Sequence, residues 1–287
     1  MIGGIILFGK RWLGLALVVS LGMALAVACG DDDDDDDDDD GGGGDIDISG
    51  VEELEDGSLQ VLSDIPYAPI EFFDENDEVV GVDPDIAAAI AEKLGVDYEF
   101  IPTGFDAIIP ALNAGDGDVI MSAMTINPER DEEVDFVAYI TVGTGIAVQP
   151  GNPEGIAGFE DLCGLAVSVQ AATIQEEQLT ALNENECADS QIDVSAFPEQ
   201  PIATQELADG NVDAMIADYP VIFTAAEENA DSIEALDLQE DAAPYGIAYR
   251  TDSPLGEALQ AAFDAIVEDG TYDTILEEWE LTSARLE

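Results

Sequence analysis

The sequence predicts an α/β fold made of two similar lobes. Strand-like and helix-like segments alternate along the chain, an order typical of mostly parallel sheets flanked by helices. Residues 112–121 and 207–216 also echo each other, because each reads as a helix end, a glycine, an aspartate and a buried strand. At 287 residues the chain can form one large domain or two lobes, and the echo favours two.

Apolar periodicity and turn residues predict the individual elements in chain order. The first predicted helix has one apolar face, and the first two helices each stop at a glycine. A polar turn between two apolar pairs predicts an early hairpin. The predicted strands cover residues 59–63, 71–73, 79–81, 97–101, 119–121, 145–149, 166–169, 192–197, 214–217 and 245–250. The predicted helices cover residues 85–94, 105–114, 173–183, 202–208, 221–228, 255–268 and 272–280.

The composition excludes several classes of function. With 66 acidic residues against six basic ones, the net charge is −60, which repels nucleic acid and anionic membrane surfaces. The hydrophobic fraction of 47% is too high for a disordered chain, so we expect a folded core under an acidic surface suited to salty water. Histidine is absent, which excludes catalysis by histidine and histidine–metal sites. No metal or cofactor is predicted.

The N-terminus has the pattern of an export signal. Lys10 and Arg11 precede an uncharged apolar run over residues 12–28, and Cys29 follows directly after small residues. A cysteine in this place resembles the lipobox of bacterial lipoproteins, which implies a signal peptide over residues 1–28 and a lipid on Cys29. The alternative is an uncleaved membrane anchor, although the run is slightly short for a full span. Either way, we expect the remainder to lie outside the cytoplasm.

Residues 29–56 are predicted to form a flexible tether. Ten consecutive aspartates, residues 31–40, repel one another and stay extended, and the four glycines that follow keep the segment flexible. Three cysteines leave one without a disulfide partner. If Cys29 carries lipid, Cys163 and Cys187 are expected to pair outside the cytoplasm, the alternative being two buried thiols.

A binding site is predicted directly after the strand over residues 119–121. Ser122 and Thr125 offer hydroxyl groups there, and Arg130 offers a planar fork that matches a carboxylate. Strand ends of this kind lie at the edge of the sheet where open α/β folds bind ligands. An average arginine would pair with a surface neighbour such as Glu129. In a chain with so few cations, we interpret Arg130 instead as an anion receiver.

The second lobe offers an acid at the corresponding place. Its echoed strand opens onto Asp218, so the two lobes would present an arginine and a carboxylate to one cleft. The alternative role for Asp218 is to cap the helix that follows it. Closing such a cleft excludes water and strengthens both ion pairs.

From about residue 58 to residue 280, the chain resembles the family 3 solute-binding proteins of bacterial ABC transporters, which bind polar amino acids. No single motif is specific, but their order and intervals together are. The motifs lie at residues 67–69 with 71–72, 81–85, 105–112, 124–130 with 134–136, 245–248 and 269–272. The resemblance implies lobes over residues 57–142 with 244–287 and over 143–243, joined by two crossing strands that hinge near residues 139–143 and 241–245.

The resemblance also implies roles for the site residues. Arg130 would hold the α-carboxylate of an amino acid, Asp218 would take its α-ammonium, and Asp64 would lie near the tip of its side chain. The other implied ligand-binding residues are Tyr67, Phe105, Ser122, Ala123, Thr125 and Thr173. Tyr67 and Phe105 could instead be core residues, and Asp64 a turn residue.

One loop departs from the family pattern. Ala172 stands where the family has glycine, and Ile174 stands where it has a hydroxyl residue. Thr173 remains at a helix start, a place suited to anions.

We therefore expect a monomeric, lipid-tethered binding protein that captures an amino acid by hinge closure and delivers it to an ABC permease and its ATPase. Neutral polar or basic ligands are favoured over acidic ones, because the overall field is negative. The membrane is contacted only through the lipid. An enzyme on the same fold, such as a cyclohexadienyl dehydratase relative, is an alternative, but it needs a positioned acid or base and no convincing pair is present. A sensor lobe for a separate signalling partner is a third reading.

Overall fold

The computed structural model describes residues 46–286. This part of the chain contains ten strands and seven α-helices in an alternating order. The strands are β1 Ser58–Ser63, β2 Phe72–Phe73, β3 Val79–Val80, β4 Asp97–Pro102, β5 Val119–Ile120, β6 Asp135–Val148, β7 Ala166–Gln170, β8 Asp193–Phe197, β9 Ala214–Asp218 and β10 Glu234–Tyr249. The helices are α1 Val82–Leu94, α2 Ile108–Ala114, α3 Ile174–Glu184, α4 Gln200–Ala208, α5 Tyr219–Glu228, α6 Leu255–Glu268 and α7 Thr271–Glu278.

Eight of the strands form one sheet in the order β4-β1-β5-β10-β6-β9-β7-β8. Strand β1 pairs in parallel with β4 and β5, and β7 pairs in parallel with β8 and β9. Between these two parallel groups run β6 and β10, which pair with each other in antiparallel fashion. Each group is therefore the sheet of one lobe, and the two long strands belong to both. This arrangement confirms the predicted fold class.

The long strands approach each other closely where the lobes meet. Their pairing register shifts between Glu240 and Ala243, and Gly143 lies opposite this break. A Cβ atom added to Gly143 would lie 2.6 Å from the carbonyl oxygen of Glu240. Because that neighbour is backbone and not a flexible side chain, any larger residue at position 143 would push the two strands apart.

Several predicted elements prove longer or differently bounded. The strands predicted over residues 145–149 and 245–250 are parts of β6 and β10, each of which continues into the other lobe. The helix predicted over residues 105–114 begins as a 3₁₀ turn and becomes α-helical at Ile108. Helix α1 begins at Val82, three residues before the predicted start. Pro84 is tolerated there because it lies in the first helical turn, where a backbone N–H has no partner within the helix.

A disulfide joins Cys163 to Cys187 in the second lobe, with 5.0 Å between their Cα atoms, as the sequence predicts. Between residues 46 and 286, no helix has the length and apolarity that crossing a membrane requires. The predicted signal peptide, Cys29 and the aspartate run all lie outside the described residues.

Candidate functional site

A cleft of about 300 Å³ lies between the lobes, at the carboxyl ends of β1, β5, β7 and β9. Its lining contains all nine residues that the sequence nominates for the site: Asp64, Tyr67, Phe105, Ser122, Ala123, Thr125, Arg130, Thr173 and Asp218. The topology therefore brings together residues that are up to 154 positions apart, from Asp64 to Asp218.

Arg130 is buried in this cleft and forms no close ion pair with an acid of the described residues. Its side chain is 8% exposed, and its guanidinium donates to the Thr125 carbonyl at 2.8 Å and the Ala172 carbonyl at 3.3 Å. The guanidinium carbon also lies 5.3 Å from the centre of the Phe105 ring. Among residues 46–286, no carboxylate oxygen lies within 4.0 Å of Arg130, so it makes no surface pair with Glu129.

The electrostatics of Arg130 follow from this burial. Loss of water lowers the pKa of the guanidinium, but arginine keeps its charge at any physiological pH. Within the described residues, the groups bonded to this cation are carbonyl oxygens, and the acids Glu177, Asp218 and Glu129 act on it only from beyond ion-pair distance. The arrangement is suited to receiving an anionic group from a ligand.

Asp218 ends β9 on the opposite side of the cleft and is 4% exposed. Its side chain makes no capping bond to the helix that follows. Instead it accepts hydrogen bonds from the Tyr67 hydroxyl at 2.7 Å and the Gln175 amide at 3.0 Å. Burial raises the pKa of Asp218 to about 6, although these hydrogen bonds and the charge of Arg130 oppose the rise. The carboxylate is thus buried, oriented and able to receive a cationic group.

The loop that departs from the family pattern keeps the backbone shape that glycine would favour. Ala172 has φ +61°, in the left-handed region, so it adopts a glycine-like conformation despite its side chain. Thr173 caps α3, where its hydroxyl oxygen accepts from the Glu176 N–H at 3.3 Å and its hydroxyl donates to the Gln170 carbonyl at 2.7 Å. Ile174 lines the cleft and supplies apolar surface beside Thr173.

Contacts between the lobes close the cleft. The Tyr67 hydroxyl of the first lobe bonds to Asp218 of the second. The Gln170 amide of the second lobe donates to the Asp64 carboxylate of the first. Burial raises the pKa of Asp64 to about 6. Two further bonds cross between the lobes: Arg130 donates to the Ala172 carbonyl, and the Asp218 N–H donates to the Tyr67 hydroxyl oxygen at 3.4 Å.

Sequence reasoning missed four residues of the lining: Glu71, Gln170, Ile174 and Gln175. Gln170 is the last residue of a parallel strand, a position that could have identified it. Gln175 lies in the first turn of α3, two residues after Thr173. Glu71 gave no such signal, because it directly precedes the apolar pair Phe72–Phe73 of the predicted hairpin.

Comparison with known proteins gives a consistent result. The arginine-binding protein ArgT of Corynebacterium glutamicum is 31% identical over 234 residues, which cover 80% of this chain and 77% of that protein. A solved structure described as an ancestral arginine-binding protein bound to arginine is 38% identical, with a TM-score of 0.73 over 78% of this chain and 98% of that one.

A further solved structure bears on the enzyme alternative. It is the ancestral amino acid-binding protein AncCDT-1, described as a precursor of cyclohexadienyl dehydratase, with 36% identity and a TM-score of 0.71 over 79% of this chain and 96% of that one. The family model of the bacterial extracellular solute-binding proteins, family 3, matches residues 59–282. The sequence match, the two-lobed sheet and the cleft between the lobes agree, and the chain belongs to family 3 of the bacterial extracellular solute-binding proteins.

Proposed function

We propose that this protein captures the zwitterionic head of an amino acid between Arg130 and Asp218 and hands the ligand to an ABC permease with its ATPase. The observation that carries the proposal is the pair of buried, opposite charges that line one cleft from different lobes. Arg130 would bind the α-carboxylate, with the hydroxyls of Ser122, Thr125 and Thr173 nearby. Asp218 would bind the α-ammonium.

The ligand side chain is proposed to be neutral polar or basic. Asp64 lies in the cleft, and the net charge of −60 repels acidic amino acids. Tyr67 and Phe105 would pack against the aliphatic part of the side chain. The arginine-binding proteins among the relatives support a basic ligand.

We propose a binding protein and not an enzyme. The structural neighbour that precedes a dehydratase is itself described as an amino acid-binding protein. We further propose that the protein is monomeric and is held outside the cytoplasm by a lipid on Cys29. The proposed lobes are residues 57–142 with 244–287 and residues 143–243.

Isothermal titration calorimetry with the common amino acids tests the binding function, in a buffer of high salt concentration. We expect at least one neutral polar or basic amino acid to bind. Arg130→Ala should weaken that binding by at least about 100-fold, because the ligand α-carboxylate would be buried without its cationic partner. Arg285→Ala is the matched control, because that guanidinium pairs with Asp273 at 2.7 Å on the surface. Equal affinities of Arg130→Ala and the wild type, or turnover of prephenate or arogenate, would contradict the proposal.

A further inference from the structure

Tyr245 is a buried residue of the crossing strand β10 that the proposed ligand contacts do not use. It is 0% exposed and does not itself line the cleft. Its hydroxyl forms no hydrogen bond within the described part of the chain. A buried hydroxyl without a partner costs free energy, so we expect this one to gain a partner when the protein binds its ligand.

The backbone on both sides of Tyr245 is tied to the loop that follows β5. Two backbone hydrogen bonds, 2.8 and 2.9 Å long, join the neighbours of Tyr245 to residues 124–126. Between these bonds, Tyr245 pairs with Thr125, which lines the cleft. Tyr245 therefore has a fixed place beside the loop that leads to Arg130, the proposed receiver of the ligand α-carboxylate.

The ring of Tyr245 is fixed as well. It packs beside the ring of Tyr139 on β6, the other crossing strand, with 6.0 Å between the ring centres. The Tyr139 hydroxyl is already bonded to Asp83 at 2.7 Å, so it is committed to the first lobe. Of this tyrosine pair, only Tyr245 has a hydroxyl that can bond to another group.

Asp218 is the acid on which the Tyr245 hydroxyl acts. Burial raises the pKa of Tyr245 well above its usual value, and the charge of Asp218 adds to the rise. In return, the Tyr245 hydroxyl opposes the increase that burial causes in the pKa of Asp218. The two groups are therefore near each other, although no hydrogen bond joins them in this structure.

The Asp218 carboxylate has room for two more donors. An ionised carboxylate offers about four acceptor sites on its two oxygens. Oδ2 accepts from the Tyr67 hydroxyl at 2.7 Å, and Oδ1 accepts from the Gln175 amide at 3.0 Å. About two sites remain, which suffices for the α-ammonium of a ligand and for the Tyr245 hydroxyl.

We propose that Tyr245 is a positioning residue for Asp218, and that its hydroxyl donates to this carboxylate when the α-ammonium of an amino acid binds there. The inference rests on the proposed function, because it requires that Asp218 holds the ammonium. A bound cation keeps the carboxylate ionised, and an ionised carboxylate is the stronger acceptor.

The new bond would join the two lobes. Asp218 belongs to the second lobe, whereas Tyr245 is tied to the site loop of the first. Once the ammonium is in place, the bond stabilises the closed form and slows release of the ligand. Recognition of the ammonium group is in this way linked to closure.

Calorimetry and stopped-flow fluorescence on the full chain test the inference. The probe is arginine, or the tightest-binding amino acid of the panel if arginine does not bind. Tyr245→Phe removes the hydroxyl and keeps the ring, so packing against Tyr139 is retained. Near neutral pH we expect the variant to bind about tenfold more weakly, through faster dissociation, with an association rate within about twofold of wild type.

Tyr98→Phe is the matched control. It removes a hydroxyl from a ring on the edge strand β4 that is 45% exposed, so both rates should stay at the wild-type values. Thermal unfolding checks that both variants are folded.

The pH profile separates a positioning role from a packing defect. The ammonium requires ionised Asp218, whose pKa is about 6, so the wild-type affinity should fall as the pH decreases below about 6. Removing a hydroxyl that favours the carboxylate raises that pKa. In Tyr245→Phe the fall should therefore begin at a pH that is higher by at least about half a unit. A packing defect alone would weaken binding by the same factor at every pH.

Other ionisable groups near Asp218 do not confuse this comparison. Its charge and that of Arg130 act on each other, and its charge also raises the pKa of Glu71, Tyr67 and Tyr139. Asp64, with a pKa of about 6, lines the same cleft. Wild type and Tyr245→Phe share all of these groups, so the difference between their profiles reports the missing hydroxyl.

The outcomes separate the two proposals. If Tyr245→Phe keeps the wild-type affinity, or loses affinity by the same factor at every pH, the role of Tyr245 is overturned and the amino-acid function stands. If the wild type binds none of the common amino acids, the proposed function fails as well.

Discussion

Arg130 and Asp218 are charged residues that lie on opposite walls of one cleft and are almost fully buried. Arg130 is 8% exposed to solvent and Asp218 is 4% exposed. Each is oriented by hydrogen bonds to uncharged groups, and neither forms a close ion pair with the other. Removing a charge from water without an ionic partner opposes folding. We infer that these two residues are maintained for the ligand, at the expense of stability in its absence.

The pH dependence of stability tests the burial of Asp218. Burial raises its pKa from 3.8 to about 6, so the folded protein holds this proton more firmly than the unfolded chain does. The contribution of Asp218 to the free energy of unfolding should therefore fall by about 3 kcal/mol as the pH rises from 4 to 6, and then level off.

In the ligand-free Asp218→Asn variant, the free energy of unfolding should decrease between pH 4 and pH 6 by about 3 kcal/mol less than it does in the wild type. Urea unfolding at several pH values and one high salt concentration measures it. Asp97→Asn, at an exposed position of β4, is the control for a general change in charge. If the two variants lose stability with pH in the same way, Asp218 is not the buried acid described above.

The residues of the site differ in how far the sequence could predict them. Arg130 and Asp218 were predictable because cations are scarce and because an acid directly after a buried strand is unusual. Glu71 was not, because its side chain is held by the loop at the end of β5, which is distant in sequence. Its partner Ser122 is 51 positions away. A local pattern therefore assigned Glu71 to a hairpin.

At the scale of elements, the central strands show what local patterns miss. The sequence predicts only the ends of β6 and β10, because Gly143 and the polar pair Glu240 and Asp241 interrupt their apolar runs. The strands are continuous because each pairs with the other along most of its length. The prediction that two strands cross from one lobe to the other came from the family resemblance and not from residue periodicity.

Gly143→Ala is predicted to weaken ligand binding by about tenfold. The new methyl group would lie 2.6 Å from the Glu240 carbonyl oxygen, so β6 and β10 must separate where the lobes meet. Calorimetry measures the affinity, and small-angle scattering with and without ligand measures closure. Gly158→Ala is a matched control, since that position is extended and has no atom within 4 Å of an added Cβ. An unchanged affinity would show that the crossing tolerates a side chain.

At the scale of the molecule, the sequence predicted the fold class and the cleft well, because alternating elements and the internal echo constrain both. The proposed lipid attachment involves Cys29, which lies outside the described residues. The net charge of −60 opposes direct adhesion to anionic lipid headgroups, which supports the proposal of a covalent lipid.

We predict that mass spectrometry of the mature protein finds a diacylglyceryl group on Cys29 and no residue before it. Cys29→Ser should then abolish lipid attachment and change how the protein partitions between membrane and soluble fractions. Cys163→Ser paired with Cys187→Ser is the control, because it removes the disulfide and leaves Cys29 in place. A mature chain that begins at Met1 would contradict the prediction.

The bonds that span the cleft have a kinetic consequence. Tyr67 bonds to Asp218, Gln170 to Asp64 and Arg130 to the Ala172 carbonyl, so we expect release of a bound ligand to require that these contacts break. Its residence time is then set by how often the two halves swing apart. Competing nutrients would arrive at similar rates and differ mainly in how long they stay.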